Sequence, residues 1–365
     1  MDRSEYRKST CAIAAFIHPI DGVHCAGRKH LEQPGTPQSA TVSIALCTYN
    51  GATFLPVQLE SILHQTLTPS ELVVGDDGST DNTVALLEQF ATTAPFPVQV
   101  TINAANLGPT QNFASTIARC NGEIIALSDQ DDRWAPQKLH TLVAALTNNP
   151  SAGYAFSDLI PWTGDDNETS TATLWQQTRF DAHWFRTTSA VNQVRELLKW
   201  DRVTGAAMAF RSNLRPCLLP IPQYWFHDGW IALLSCCLDC RGIPIQEPLL
   251  QYRLHASQVT AVGRETMTER VQRSRNVRFD AYMVQSLRFA ALRDRLEHYP
   301  QRLPAAEYAE ILRMIGEKQQ HLAARAKMHA RSRPERIRPV LEEFMSGRYH
   351  HYSDTWVCIA KDLFL

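Results

Sequence analysis

From Thr41 onward the chain alternates short apolar runs with stretches whose apolar residues recur at helical spacing. Residues 42–47 form a continuous strand-prone run, and Phe54, Leu55, Leu59, Ile62 and Leu63 then share one helical face. The alternation continues with strands over 72–74, 98–102 and 123–127 and helices over 82–90 and 111–119. A further helix is expected from Pro136 to about Leu146, with Pro136 in its first turn, where a missing N–H costs nothing. This rhythm predicts an α/β fold, a mostly parallel Rossmann-like sheet with flanking helices on both faces. Such sheets bind ligands beyond the carboxyl ends of their strands. The polar residues at those places are Thr48-Tyr49-Asn50, Asp76-Asp77-Gly78-Ser79, Asn106-Leu107-Gly108 and Asp129-Gln130-Asp131-Asp132.

The pattern loosens on either side of this core. Residues 1–39 mix charge with Gly27, Pro34, Gly35 and Pro37 and read as a poorly ordered leader. After a run at 154–158 a polar loop passes through Asp165, Asp166 and Asn167, and the order resumes at 203–210. Past Gly263 the texture is helical: Phe279, Met283, Leu287 and Ala290 suggest one stripe, and Tyr308, Ile311, Leu312, Ile315, Gln319 and Leu322 another, with Pro300 and Pro304 between them. The expected organisation is a leader (1–39), an α/β domain (40–263) with two halves (40–132 and 133–263), and an antiparallel helical extension (264–365).

Composition narrows the function. Among 365 residues, 36 Lys and Arg balance 37 Asp and Glu, which leaves no basic footprint for nucleic acid. No apolar run approaches the ~20 residues of a spanning helix. Nine scattered cysteines suit reduced thiols in the cytoplasm, and Cys237 and Cys240, a lone CxxC in an apolar run, read as buried structural thiols. The arginines of the extension, Arg264, Arg270, Arg273, Arg275, Arg278 and Arg288, accompany its apolar stripes, which suits peripheral contact with a membrane, a homo-oligomer interface, or a solvated face over a core stripe.

The candidate chemistry is carboxylate chemistry. Asp129, Asp131 and Asp132 crowd a strand end, where like charges call for a cation; the other reading is a helix start, with Asp132 as its cap. Residues 76–81 read equally as a turn and cap or as acceptors for a base or ribose donor. Asp228 precedes the apolar run 231–238 and is either an N-cap or a carboxylate placed to accept a proton. Arg253 and His255, in Gln251-Tyr252-Arg253-Leu254-His255-Ala256-Ser257-Gln258, could face phosphate or lie on a surface strand.

Taken in order, the segments 44–51, 58–66, 76–81, Asn106-Leu107-Gly108 with Asn112-Phe113, and Ser128-Asp129-Gln130-Asp131-Asp132-Arg133-Trp134 resemble a family-2 glycosyltransferase of the A-type (GT-A) fold, and in particular bacterial rhamnosyltransferase-like members. The resemblance covers about residues 42–263, and it implies that 40–132 is the nucleotide-binding half and 133–263 the acceptor-binding half. It implies transfer of a sugar, with rhamnose the sugar of the members it most resembles, from a dTDP- or UDP-sugar to a saccharide or lipid-linked saccharide in surface polysaccharide synthesis, with inversion and with Mg²⁺ or Mn²⁺. It implies that Thr48, Tyr49, Asn50, Asp77 and Asn106 line the nucleotide pocket, that Asp129 lies on the ribose side, and that Asp131 and His255 hold the metal. Arg253 would meet the diphosphate, and Asp228, within Phe226-His227-Asp228-Gly229-Trp230, would be the general base. The members it resembles often carry Gly and Asn where Ala256 and Gln258 stand. A binding module of the same fold without catalysis is the alternative; the joint presence of Asp131, Asp228 and His255 speaks against it.

Overall fold

The protein is described by a computed structural model over residues 40–165, 170–255 and 279–364. The expected leader, Asp166 and Asn167, Ala256 and Gln258, the side chain of Phe279, and Arg264, Arg270, Arg273, Arg275 and Arg278 lie outside the described residues.

The first half follows β1 (Val42–Thr48), α1 (Leu55–Leu63), β2 (Glu71–Asp76), α2 (Thr83–Thr93), β3 (Val98–Ile102), α3 (Pro109–Arg119) and β4 (Ile124–Ser128). A two-residue strand, β5 (Arg133–Trp134), precedes α4 (Lys138–Thr147), β6 (Ala152–Trp162), α5 (Leu174–Thr178), α6 (Ala182–Thr187) and α7 (Ala190–Lys199). A 3₁₀ turn (Gly205–Ala207) leads into β7 (Met208–Arg211), then α8 (Arg215–Leu218), α9 (His227–Cys237) and β8 (Arg241–Arg253). The extension contains α10 (Phe279–Leu296), α11 (Ala305–His329), α12 (Arg333–Met345), α13 (Arg348–Tyr352) and α14 (Thr355–Phe364).

The eight strands form one sheet in the order β3-β2-β1-β4-β7-β6-β8-β5. β1 to β4 are mutually parallel, β7 runs against both β4 and β6, β8 is parallel to β6, and β5 is antiparallel to β8. Every residue of β1, β2 and β4 is buried, which explains their lack of visible alternation. The alternation exists but serves two cores: Ala45, Cys47, Val73, Ile125 and Leu127 point to one layer, and Ile44, Leu46, Leu72, Val74 and Ala126 to the other. β3, at the edge, buries none of its residues fully.

Two expected boundaries are corrected. Pro136 lies outside the first turn of α4, which starts at Lys138 after Gln137, because β5 intervenes and pairs with Leu250 and Gln251 of β8. Asp132 is therefore not a helix cap. On α10 the buried stripe is Tyr282, Ser286, Phe289, Leu292 and Leu296 rather than the one through Met283, Leu287 and Ala290. The two stripes neighbour one another, and the aromatic rings won the core. Tyr308 Oη donates to Leu296 O at 3.2 Å and Arg325 Nη2 to Tyr282 Oη at 2.9 Å, so α10 and α11 run antiparallel. Tyr282, Phe289, Leu292, Ile311 and Ile315 share one continuous core with Trp225, Trp230 and Ile231 of the α/β part. Among the described residues no helix is long and apolar enough to cross a membrane.

Candidate active site

The chain leaves β1 toward β2 and β3 on one side and returns to β4 on the other, so strand order reverses between the carboxyl ends of β1 and β4. Loops beyond those ends carry the polar segments. Thr48 closes β1, and its hydroxyl donates to Asp76 Oδ2 at 2.7 Å. The other Asp76 partners are the Ser79 amide (2.8 Å) and hydroxyl (2.6 Å), so Asp76 is the turn-forming member of its pair. Asn50 adopts φ +47°, a left-handed conformation that Asn tolerates, and from there its Oδ1 accepts the Thr80 amide at 2.8 Å. Tyr49 is exposed, and both its amide and its carbonyl are held by the Gln130 side chain, at 2.8 and 3.1 Å.

Asp77 is buried and heavily engaged. Its carboxylate accepts the amides of Leu107 (2.8 Å) and Gly108 (2.9 Å) and the Asn103 side chain (2.9 Å), while Asn106 Nδ2 donates to its carbonyl at 3.2 Å. These bonds draw the 103–108 loop across the carboxyl end of β2. Gly108 sits at φ +76°, where a side chain would be strained, and opens α3.

Beyond β4 the acidic cluster is real. Asp131 Oδ2 lies 2.8 Å from His255 Nε2, and the Asp131 carbonyl accepts Arg253 Nε at 2.7 Å. Asp132 is fully buried: Oδ1 accepts the Arg253 amide at 3.1 Å, while Oδ2 has no hydrogen-bond partner. The β5–β8 pairing thus clamps Asp131 and Asp132 against Arg253 and His255, more than 120 positions away. The Arg253 guanidinium is packed 4.1 Å from the centre of Trp162 and 5.0 Å from that of Phe54, and the His255 ring lies 4.7 Å from Phe54. Burial, then Asp131 and Asp228, pushes Asp129 up to about 7. Burial, with Asp131 and Asp129, also raises Asp132 well above the carboxylate range.

Asp228 arrives from the second half. The N-cap of α9 is Phe226, which places Asp228 inside the first turn and corrects the capping alternative. Its Oδ2 accepts the Gly205 amide at 3.0 Å, and its Oδ1 accepts the Gly229 amide at 2.7 Å. Position 205 requires glycine, because a Cβ there would meet His227 Nε2 at 2.7 Å and the Asp228 side chain at 3.3 Å. His227 is itself stacked on Phe113 at 3.9 Å, with Nε2 buried and unpartnered. Of the CxxC thiols, Cys237 is buried and pushed up by that burial, whereas Cys240, expected to be buried as well, is half-buried because it lies beyond the end of α9.

Comparison with known proteins decides the ancestry. Residues 43–215 match the family model described as Glycosyl transferase family 2. That segment belongs to this family. Relatives of the chain include an uncharacterized glycosyltransferase of Nostoc sp., 29% identical over 59% of this chain and 65% of the relative. A dTDP-rhamnosyl transferase of Shigella flexneri is 29% identical over 37% and 48% of the two chains. An abequosyltransferase of Salmonella typhimurium is 30% identical over 29% and 32%. The matching segment thus spans less than two thirds of each of these relatives. Among solved structures, S. aureus TarS 1–349 in complex with UDP-GlcNAc superposes with a TM-score of 0.56 at 16% identity, over 88% of both chains, which establishes the shared A-type fold.

Within this fold, sequence reasoning missed two charged residues, Lys138 and Asp201, and the surroundings of a third, Arg288. Lys138 is fully buried, its Nζ donates to Ala206 O and lies 3.4 Å from the centre of the Trp134 ring, and burial holds its ammonium well below its usual value against the pull of Asp132 and Asp129. Asp201 is pushed up to about 7 by burial and by Asp228, with Arg288 opposing. Arg288, one of the arginines expected at a membrane or oligomer contact or on a solvated face, has its guanidinium carbon 5.3 Å from the centre of the Phe226 ring, at the start of α9. The apolar surroundings of Lys138 in the sequence were the one available signal; nothing local marks Asp201 or Arg288.

Proposed function

We propose that the protein is a metal-dependent, inverting glycosyltransferase that moves a sugar from a nucleoside diphosphate sugar to a saccharide acceptor. The observation that carries this reading is the convergence of Asp131 with Arg253 and His255 beyond β4, with Asp228, at the start of α9, near enough to add to the charge that raises Asp129 in the same loop. A diphosphate-facing acid and a proton acceptor therefore border one cleft, which recognition alone would not need. The residues present fit a divalent cation. Among the described residues no three acidic, His or Cys side chains form a ready cage, but Mg²⁺ is commonly held by one or two protein ligands with substrate phosphates completing its shell. Asp131 and His255 supply that pair, and the unpartnered Asp132 Oδ2 lies in the same acidic loop. When bound, the cation would offset the negative charge that gathers on the departing diphosphate.

The chain's own residues do the remaining work. Asp77 and Asn106 hold the 103–108 loop that edges the base pocket, and Thr48, Tyr49 and Asn50 form its floor at the end of β1. Asp129 faces the ribose side. Arg253 fixes the backbone of Asp131 and presents its guanidinium toward phosphate from between Trp162 and Phe54. Asp228, oriented by the Gly205 and Gly229 amides, takes the proton of the acceptor hydroxyl as it attacks opposite the diphosphate, and one displacement from that side inverts the anomeric centre. The dTDP-rhamnosyl relative supports a thymidine diphosphate donor, with rhamnose the first sugar to try. Turnover of a dTDP- and UDP-sugar panel, with and without saccharide acceptors, tests the reading. Acceptor-dependent release of nucleoside diphosphate is expected, and binding without turnover across the panel would replace it with a recognition module.

A further inference from the structure

Helix α12 is inside out. Its buried stripe is Arg336, Val340 and Glu343, and the chain satisfies both charged groups: Arg336 Nη1 donates to Asp362 O at 3.3 Å, and Glu343 accepts from Arg348 Nε at 2.8 Å. Its apolar stripe, Ile337, Leu341, Phe344 and Met345, faces outward. A helix that served only to cover a core would present the reverse pattern. α14 repeats the feature. It lies antiparallel beside α12, tied toward one end by the Arg336–Asp362 bond and toward the other by the Phe344 and Trp356 rings, whose centres are 6.0 Å apart. Trp356, Val357 and Phe364 are exposed on it, and the seven apolar residues of the two helices range from 39% to 82% exposed. Half of the exposed large apolar side chains among the described residues thus fall on these two helices, and contiguous apolar surface of this kind marks a docking face. Seven such side chains supply an area on the order of the ~800 Å² that each partner of a stable protein pair buries.

The charges around the face say what covers it. Over residues 333–364, five Arg and Lys balance five Asp and Glu, whereas a helix that lies on anionic lipid carries an excess of Lys and Arg. Lys199, which reaches the groove beside Trp356, is engaged by the His350 carbonyl at 2.6 Å. Arg338 and Glu342, one turn apart and paired at 2.8 Å, flank the apolar stripe on the side away from Trp356, and both are open to solvent. A second copy of α12 matches this flank. When two identical helices meet antiparallel across a twofold axis, like flanks face each other in reverse order. Arg338 of one copy then stands opposite Glu342 of the other, twice, and the two α14 helices adjoin on the opposite flank. A parallel pairing would instead set the charged flank of one copy against the apolar α14 side of the other. We propose that the chain forms a twofold homodimer through α12 and α14, with Leu341 near the axis and two Arg338–Glu342 pairs across the rim. The face lies outside the segment matched by the family model, and the proposal stands independently of the glycosyltransferase reading.

Sedimentation equilibrium of the full chain tests this. Wild type should sediment at twice the 41.2 kDa mass of the chain. Leu341→Asp sets two acids together at the axis and should leave monomers of unchanged helix content by circular dichroism, because the side chain is more than half exposed. Arg338→Glu and Glu342→Arg each turn the flank to a single sign and should each weaken dimerisation about 10-fold or more. Mixed in equal amounts, these two variants should pair as tightly as wild type, since an all-acidic flank then meets an all-basic one. Neither a lipid surface nor an unrelated partner predicts that rescue. Wild-type monomers at every soluble concentration, dimers that survive Leu341→Asp, charge variants that dimerise like wild type, or a mixture that stays apart would each overturn the proposal. Wild-type monomers that float with phosphatidylserine vesicles would overturn it in favour of lipid.

Discussion

Two clusters of buried acid in this molecule meet opposite fates. In the extension, Asp362 accepts Arg325 Nε (2.7 Å) and Nη2 (2.9 Å), His329 Nε2 (2.9 Å) and the Tyr349 hydroxyl (2.6 Å). Burial alone would raise its carboxyl, yet the His329 bond, the Arg325 charge and the other bonds hold it at about 2. Glu343 is likewise met by His321 at 2.6 Å and by Arg348 at 2.8 and 2.6 Å. In the cleft, burial and then the charges of Asp131 and Asp228 raise Asp129 to about 7, and Asp132, raised by burial and then by Asp131 and Asp129, keeps an unpartnered oxygen. A buried carboxylate that the chain neutralises is architecture. One that the chain leaves under-compensated is waiting for charge from a ligand.

The contrast breaks most visibly if the extension is tampered with. Asp362→Ala leaves Arg325 buried without its acid and should cost about 3–5 kcal/mol of stability in denaturant titration, while turnover per folded molecule stays unchanged. Asp228→Asn should do the reverse: a fall of about 10²-fold or more in transfer rate, with melting temperature and nucleotide affinity held, since the amide oxygen still accepts the Gly205 N–H. Near-wild-type turnover would remove Asp228 from the mechanism. Next in size, Asp131→Ala and EDTA should each weaken nucleoside diphosphate binding by about 10-fold or more in calorimetry, as expected when outer or inner ligands of a cation site are lost, and the two should not add. Equal affinity in all four conditions would mean that the cleft needs no cation.

The smallest effect is a matter of pH. The folded Asp362 carboxyl, at about 2, lies below the ~3.9 of an unfolded Asp, so between those values the unfolded chain binds more protons. Its stabilising contribution is complete above about pH 5 and is lost as pH falls through 4 toward 2. Acid unfolding in that window should be shallower in Asp362→Ala than in wild type. An identical acid profile would show that the network is bypassed.

The parallel half was legible because its signals are local. β3 spans the expected residues, β1 and β2 extend the expected strands by a residue or two at their ends, and β4 is shifted by one, since apolar runs punctuated by polar loops name buried parallel strands directly. The Asp131–His255 pairing was legible only through family likeness; no spacing rule links residues separated by more than 120 positions. Pro136 misled because a two-residue strand carries no periodicity, and with it went the capping role for Asp132. Lys138, Asp201 and the neighbours of Arg288 stayed hidden for a related reason: each depends on a carbonyl, a carboxylate or a ring contributed by another part of the chain.

The shortest strand bears on how such enzymes could be recombined. A natural place to splice a foreign second half onto the first half of the α/β domain is immediately after Asp132, at the end of the acidic motif. β5 makes that junction treacherous, because Arg133 and Trp134 pair with Gln251 and Leu250 and so carry the alignment of Arg253 and His255 with Asp131. Hybrids cut there would inherit both motifs intact in sequence and misaligned in space, unless the graft brings its own matched pair of segments on either side of the seam.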